Sequence, residues 1–317
     1  MPKLERAIQS IFKDCFRARS NENIFILADA VHQSMASQFF TVARQISNHS
    51  LMTVLPAIRT AGTEPPPHVA GLMKHADVML ILTSKSISHT QARRQACKHG
   101  ARIASLPGIT EDILTRTITG QYKQMVDKSR KIADILTIGR NVQLSSAAGT
   151  SLTCSIAKMQ GYADTGMLHQ PGRFSNLPAG EGSTAPIPKS ANGVLVIDGS
   201  FPIIGKMVNP VRISFKNGRA IRISGGDEAV QIRKMLRPFG QAGRLIAELG
   251  IGTNPDARFT GCVLEDEKSI GTVHVAMGNN ISFGGNNSVR CHYDAVILKP
   301  TLIIDNKNIL EEGRLQV

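Results

Sequence analysis

Three short runs near the start of the chain are almost wholly apolar: residues 23–28 (NIFILA), 50–55 (SLMTVL) and 77–82 (DVMLIL). Runs this short and this apolar on both faces suit strands of a sheet covered on each side, as parallel sheets are. The segments around them carry helical periodicity. Residues 1–19 place Leu4, Ile8, Ile11 and Cys15 on one stripe, and 32–47 place Met35, Phe39, Val42, Ala43 and Ile46 on another. After the triple proline at 65–67, helices are expected at 68–75, 89–99 and from 111, with a strand at 101–105. Alternation of this kind predicts an α/β domain with a mainly parallel sheet. It has no G-x-G-x-x-G and no Walker sequence, so its rhythm does not imply a nucleotide site. His32, His49, His68, His75, His89 and His99 are scattered through it and read as surface or packing residues.

Beyond a basic amphipathic helix starting at 122, the pattern changes to β. Residues 141–157 alternate as strands do, and 193–198, 211–215 and 219–223 continue the series, with Asn217-Gly218 as a hairpin turn. Residues 228–236 read as a helix, and 301–305 and 308–310 as final strands. Residues 170–190 are rich in Gly, Pro and Ser and read as a structured loop or flap. The expected organisation is a Rossmann-like α/β domain over 1–125 and a β-rich α+β domain over 126–317.

The 317 residues carry a net charge of +13. Such a field attracts anions and nucleic acid. However, the basic residues are dispersed and aromatic residues are few, so no specific nucleic-acid binding is expected. No apolar run approaches the ~18 residues that span a bilayer, and no signal-peptide pattern opens the chain. A cytoplasmic protein is expected. Five cysteines without C-x-x-C spacing fit a reduced protein, with Cys262 and Cys291 as small core residues.

The chemistry concentrates in the last quarter. Glu248, Glu267, His274, His292 and Asp294 lie among glycine-rich turns and apolar runs. Two imidazoles and three carboxylates form a mixed N/O donor set suited to zinc, cobalt, manganese or iron. His292 and Asp294 share a strand face by their i, i+2 spacing, which sends Tyr293 to the other side. Glu267 and His274 are seven apart and converge only if a turn intervenes, which residues 268–271 can supply. Glu248 lies in an apolar stretch, where a buried carboxylate needs a partner or a metal.

From about Leu245 onward the chain resembles the M29 (aminopeptidase T-like) family of metal-dependent aminopeptidases, through A-E-L-G, D-E-K, G-T-V-H-V-A-M-G and C-H-Y-D, with N-L-P-A-G-E at 176–181 as a further match. The resemblance implies that the same five residues hold two divalent ions (zinc, cobalt or manganese, with iron as an alternative). It implies a hydrolase acting on a peptide or small amide, Glu181 as a catalytic residue in the family-like loop, and a homodimer. The family's catalytic tyrosine is missing: Ile281 stands at its position. A second branch of the superfamily resembles 2,5-dihydroxypyridine 5,6-dioxygenase and implies a single Fe(II) on a 2-His-1-carboxylate triad. Two of that branch's ligands match His292 and Asp294, whereas its other histidine falls at Glu248. The presence of Glu248, Glu267 and His274 favours the aminopeptidase expectation. The alternatives are ring-cleaving dioxygenase chemistry or a metal-binding relative without catalysis.

Overall fold

A computed structural model describes residues 2–118 and 122–317. Met1, the first residue of the helix expected over 1–19, lies outside them. The chain forms two compact units, Met1–Tyr122 with Gly166–Ala179, and Lys123–Thr165 with Gly180–Val317. A single cut between 125 and 126 does not represent the return of 166–179 to the first unit.

The first unit is α/β. Its sheet runs in the order Ser50–Leu55, Ile24–Asp29, Val78–Leu82, Arg102–Ser105, Phe174–Asn176, with every neighbouring pair parallel. The three apolar runs are therefore strands, and the two inner ones are buried throughout. Helix Gln33–Ile46 turns Ala36, Phe39, Val42 and Ala43 inward. The N-terminal helix Lys3–Ser10 widens into a π-helical turn at Ile11–Phe16, keeping Leu4, Ile8, Ile11 and Cys15 buried. Asp29 closes the Ile24–Asp29 strand and is fully buried. Its carboxylate accepts hydrogen bonds from the backbone N–H of Ser84 (2.7 Å), Ile58 (3.1 Å) and His32 (3.3 Å), and lies 3.0 Å from His32 Nδ1.

The second unit is β-rich. Its larger sheet has eight antiparallel strands, ordered from Arg219–Ser224 at one edge to Arg314–Leu315 at the other. Asn217 and Gly218 both have left-handed φ (49° and 74°), the backbone that a tight hairpin requires. The smaller sheet is also antiparallel, in the order His292–Ile297, Val273–Gly278, Ile246–Gly252, Glu181–Thr184, Tyr162–Asp164. Leu195, Ile197 and Ile213 of the larger sheet and Leu249, Ile251, Val273, Val275 and Ile297 of the smaller belong to one apolar core. Helix Tyr122–Ile138 adds Ile132 and Leu136 to it.

The segment 170–190 differs from expectation. It holds two strands, Phe174–Asn176 in the first unit and Glu181–Thr184 in the second. Gly182 permits close packing: a Cβ there would fall 2.4 Å from Ile132 Cγ2. Among the described residues, no helix is long and apolar enough to cross a membrane.

A candidate metal centre on the five-stranded sheet

Strand register brings the sequence-predicted donors onto one face. In antiparallel pairs, directly opposed residues point the same way. Asp294 opposes Ala276, which in turn opposes Glu248, and His274 opposes Gly250. His292 and His274 follow by their even spacing, and Glu181 joins them opposite Gly252. The floor under the donors consists of Gly250, Gly252 and Ala276, which contribute almost no side-chain bulk. A Cβ on Gly250 would lie 2.1 Å from His274 Nε2. The other face carries Leu249, Ile251, Val275 and Tyr293 into the core. Tyr293 packs against Phe201 and Phe239, with ring centroids 5.9 and 6.4 Å away.

Glu267 arrives by a different route. It follows the short helix Val263–Asp266, and the chain then reverses before strand Val273–Gly278. Gly271 supplies a left-handed φ of 88° in that reversal. The turn expected at 268–271 thus overcomes the odd spacing of Glu267 and His274.

Three overlapping groups result: Glu181, Glu248 and His274; Glu248, His292 and Asp294; and Glu267, His274 and Asp294. Within each group one donor atom per residue lies within 4.8 Å of the others. His292 Nε2 is 3.0 Å from Glu248 Oε2 and 3.1 Å from Asp294 Oδ1. His274 Nε2 is 3.2 Å from Glu181 Oε2 and 3.6 Å from Glu248 Oε1. His292 Nδ1 lies 2.7 Å from the carbonyl oxygen of Asn279. Donation to that carbonyl turns Nε2 toward Glu248 and Asp294 as the ligand atom, the usual outer-shell arrangement of a metal-bound imidazole. The donor chemistry and the shared focus of these atoms therefore fit a divalent ion.

Burial opposes charge throughout the cluster; cationic or anionic neighbours outweigh it at Glu248, Asp294 and the two imidazoles, whereas it prevails at Glu267 and Glu181. Burial pushes Glu248 up, but His274 and His292 outweigh it and hold the carboxyl well below its ordinary range. Asp294 is lowered in the same way, its burial outweighed by His292. Burial disfavours the imidazolium of His274, yet Glu181, Glu248 and Glu267 raise it to about 9, and Asp294 and Glu248 raise His292 well above its usual value. Glu267, buried and beside Asp294 and Glu181, is pushed up to about 8 despite Lys268. Burial also raises Glu181, against the pull of Lys268 and His274. Without metal, the site stores protons that a divalent ion must displace.

Sequence reading missed four participants: Lys268, Asp164, Phe283 and Tyr162. Lys268 is 1 % exposed, with Nζ 2.7 Å from Glu181 Oε1, 3.0 Å from Glu267 Oε1 and 3.5 Å from Asp164 Oδ2. Those three carboxylates overcome its burial and keep the ammonium charged. Asp164 reaches the cluster because strand Tyr162–Asp164 pairs Asp164 with Glu181. Phe283 stacks on His292 (centroids 5.5 Å, planes 25° apart), and Tyr162 meets Phe283 edge-on at 6.4 Å. Ile281, at the position of the missing tyrosine, is 42 % exposed, so Phe283 is the residue of that turn which reaches the imidazole. Burial raises the thiols of Cys262 and Cys291 to about 11; Cys291 lies in the apolar core as expected, whereas Cys262 is only half-buried and outside it. Among the described residues, none of the six histidines named in the first unit joins a donor group.

Similarity to known proteins decides between the two branches. The sequence profile of the family described as NicX, 2,5-dihydroxypyridine 5,6-dioxygenase, matches residues 4–317. The chain belongs to the 2,5-dihydroxypyridine 5,6-dioxygenase family. The enzyme of that name from Pseudomonas putida KT2440 is 24% identical over 254 residues, covering 74% of this chain and 70% of its own. The solved structure of 2,5-dihydroxypyridine dioxygenase from Pseudomonas putida KT2440 aligns with a TM-score of 0.83 at 19% identity, over 99% of this chain and 98% of that one. Wild-type AmpT from Thermus thermophilus shares the fold, with a TM-score of 0.74 at 14% identity over 99% of each chain.

These matches correct the expected hydrolase and aminopeptidase activity. Glu248, Glu267 and His274 favoured it locally, but the dioxygenase family accounts for almost the entire chain. A local donor cluster does not by itself fix the reaction.

Proposed function

We propose that this chain is a metal-dependent ring-cleaving dioxygenase acting on 2,5-dihydroxypyridine or a closely related hydroxylated N-heteroaromatic, opening the ring between C5 and C6. The observation that carries this reading is the family match over residues 4–317. The His292–Asp294 pair on one strand face agrees with it. Fe(II) is the metal the reaction class calls for, and imidazole with carboxylate suits it. When bound, it supplies the redox chemistry that lets dioxygen react with an electron-rich ring.

His292 Nε2, Glu248 and Asp294 would hold the ion. Asn279 and Phe283 fix the His292 ring, one through its Nδ1 contact and the other through stacking. Phe283 and Tyr162 also present aromatic surface beside the centre, which suits a planar substrate by offset or edge-on contact. Glu248 stands where the dioxygenase branch carries an imidazole. This chain therefore offers a harder, more negative donor set around His292, one that binds a divalent ion tightly and favours an oxygen-rich shell.

The test is oxygen uptake by protein loaded anaerobically with Fe(II), followed with the loss of ring absorbance of 2,5-dihydroxypyridine. One O₂ consumed per ring opened is expected. Fully loaded protein that consumes no oxygen with this or related hydroxypyridines would overturn the proposal.

A further inference from the structure

The three donor groups centre on two imidazoles, and the side of His274 already faces a cation. The position around His292 is defined by Glu248 and Asp294. His274 belongs to two groups, one with Glu181 and Glu248 and the other with Glu267 and Asp294. Lys268 Nζ is within hydrogen-bonding distance of an oxygen on each of Glu181 and Glu267. It makes no recorded ion pair with Glu248 or Asp294 among the described residues.

We propose that Lys268 is a built-in second cation, a positioning residue that satisfies Glu181 and Glu267 and restricts the centre to a single divalent ion at Glu248, His292 and Asp294. This rests on the metal-centre reading above. A divalent ion in either His274 group would need Glu181 or Glu267, each held by Lys268 Nζ, and would stand close to that fixed ammonium. It would also have to take carboxylate oxygens that the ammonium holds.

Lys268 cannot readily swing aside. Its backbone N–H donates to Glu265 O at 3.0 Å, and its carbonyl accepts from Asn254 N–H at 2.9 Å. Its side chain is buried, with Asp164 as a third carboxylate neighbour. A lysine shifts easily in and out of contact when exposed, but a buried ammonium among three carboxylates has no comparable alternative.

The experiment is metal stoichiometry by equilibrium dialysis with Mn(II), read by elemental analysis and by electron paramagnetic resonance. Wild type should bind one ion per chain and give the signal of isolated Mn(II). Lys268→Arg keeps the charge and should also bind one. Lys268→Met should bind two, with the signal broadened or lost through coupling over the roughly 3.5–4 Å of two-metal centres. Glu181→Gln and Glu267→Gln guard against misfolding of the methionine variant. Each should still bind one ion with affinity within about threefold of wild type, because neither belongs to the occupied position. Two ions in wild type would overturn the proposal, as would a folded Lys268→Met that binds only one. Loss of the ion in Glu181→Gln or Glu267→Gln would also overturn it by placing the ion on the His274 side. These outcomes are independent of oxygen uptake: one ion without ring cleavage sinks the reaction and leaves the role of Lys268 standing.

Discussion

Glu248 is 2 % exposed and holds its negative charge only because two imidazoles face it. Removing that charge without changing shape tests whether it ligates. Glu248→Gln should weaken ion binding by more than the ~10–100-fold typical of outer-shell changes, as measured by competition with a chromophoric chelator. The paired imidazoles add a pH dependence. His274 is raised to about 9 and His292 well above its usual value in the ion-free site, so a proton on His292 Nε2 competes with the metal directly and an imidazolium at His274, beside Glu248, opposes it by charge. Affinity should rise as pH rises toward about 9 and fall below it, and calorimetry in buffers of differing ionisation enthalpy should show net proton release. Part of this was legible in the sequence. The His292-x-Asp294 pair follows from the period of a strand, and the burial of Glu248 follows from its apolar neighbours. Lys268 was not legible, because a lysine in a charged D-E-K run reads as surface. Its burial arises only when strand Tyr162–Asp164 brings Asp164 beside Glu181.

At the level of elements, the centre depends on what the sheet leaves out. Gly250 opposes His274, and the imidazole occupies the space that a Cβ would need. Gly250→Ala should displace that ring while leaving the strand backbone within reach of its ordinary conformation. Ion release should stay within about threefold of wild type, with an unchanged far-ultraviolet circular dichroism spectrum, because the proposed ion sits at Glu248, His292 and Asp294. Ion release tenfold faster or more would place His274 in the metal's shell and count against occupancy of the His292 position alone. Strands and helices were largely readable from periodicity, and the hairpin at Asn217-Gly218 was readable from turn chemistry. The strands hidden within 170–190 were not, because turn-forming composition masks short strands whose pairing partners are far away in sequence. Phe283 escaped notice for a related reason. The sequence directs attention to Ile281, but the turn at Ile281–Phe283 exposes that residue and puts Phe283 on His292.

At the scale of the whole molecule, fold and reaction separate. The division into two units was visible in the change from α/β alternation to β pattern, whereas the reaction was misassigned because the donor cluster is local and the family match runs over residues 4–317. The two units also call for different stability tests. In the first, burial pushes Asp29 up, but hydrogen bonds from Ser84, His32 and Ile58 outweigh it and lower the carboxyl from 3.8 to about 2. Such a group stabilises the fold above its unfolded value, and this stability is lost as pH falls through its folded one. Asp29→Asn should cost about 1–3 kcal/mol at pH 7, and its deficit against wild type should shrink between pH 4 and pH 2 in urea titrations. In the second unit, the ion itself should be the main source of added stability. Ligand present at 100 times its dissociation constant stabilises the native state by about 2.7 kcal/mol. Because all the proposed donors lie in that unit, hydrogen exchange with and without Mn(II) should show slower exchange along Ile246–Gly252, Val273–Gly278 and His292–Ile297. Strands Ile24–Asp29 and Val78–Leu82 should exchange at unchanged rates if their opening does not pass through unfolding of the second unit. Equal slowing in both units would show that the chain opens as one cooperative body. Slowing confined to the first unit would place the ion elsewhere and remove the sheet face as its binding site.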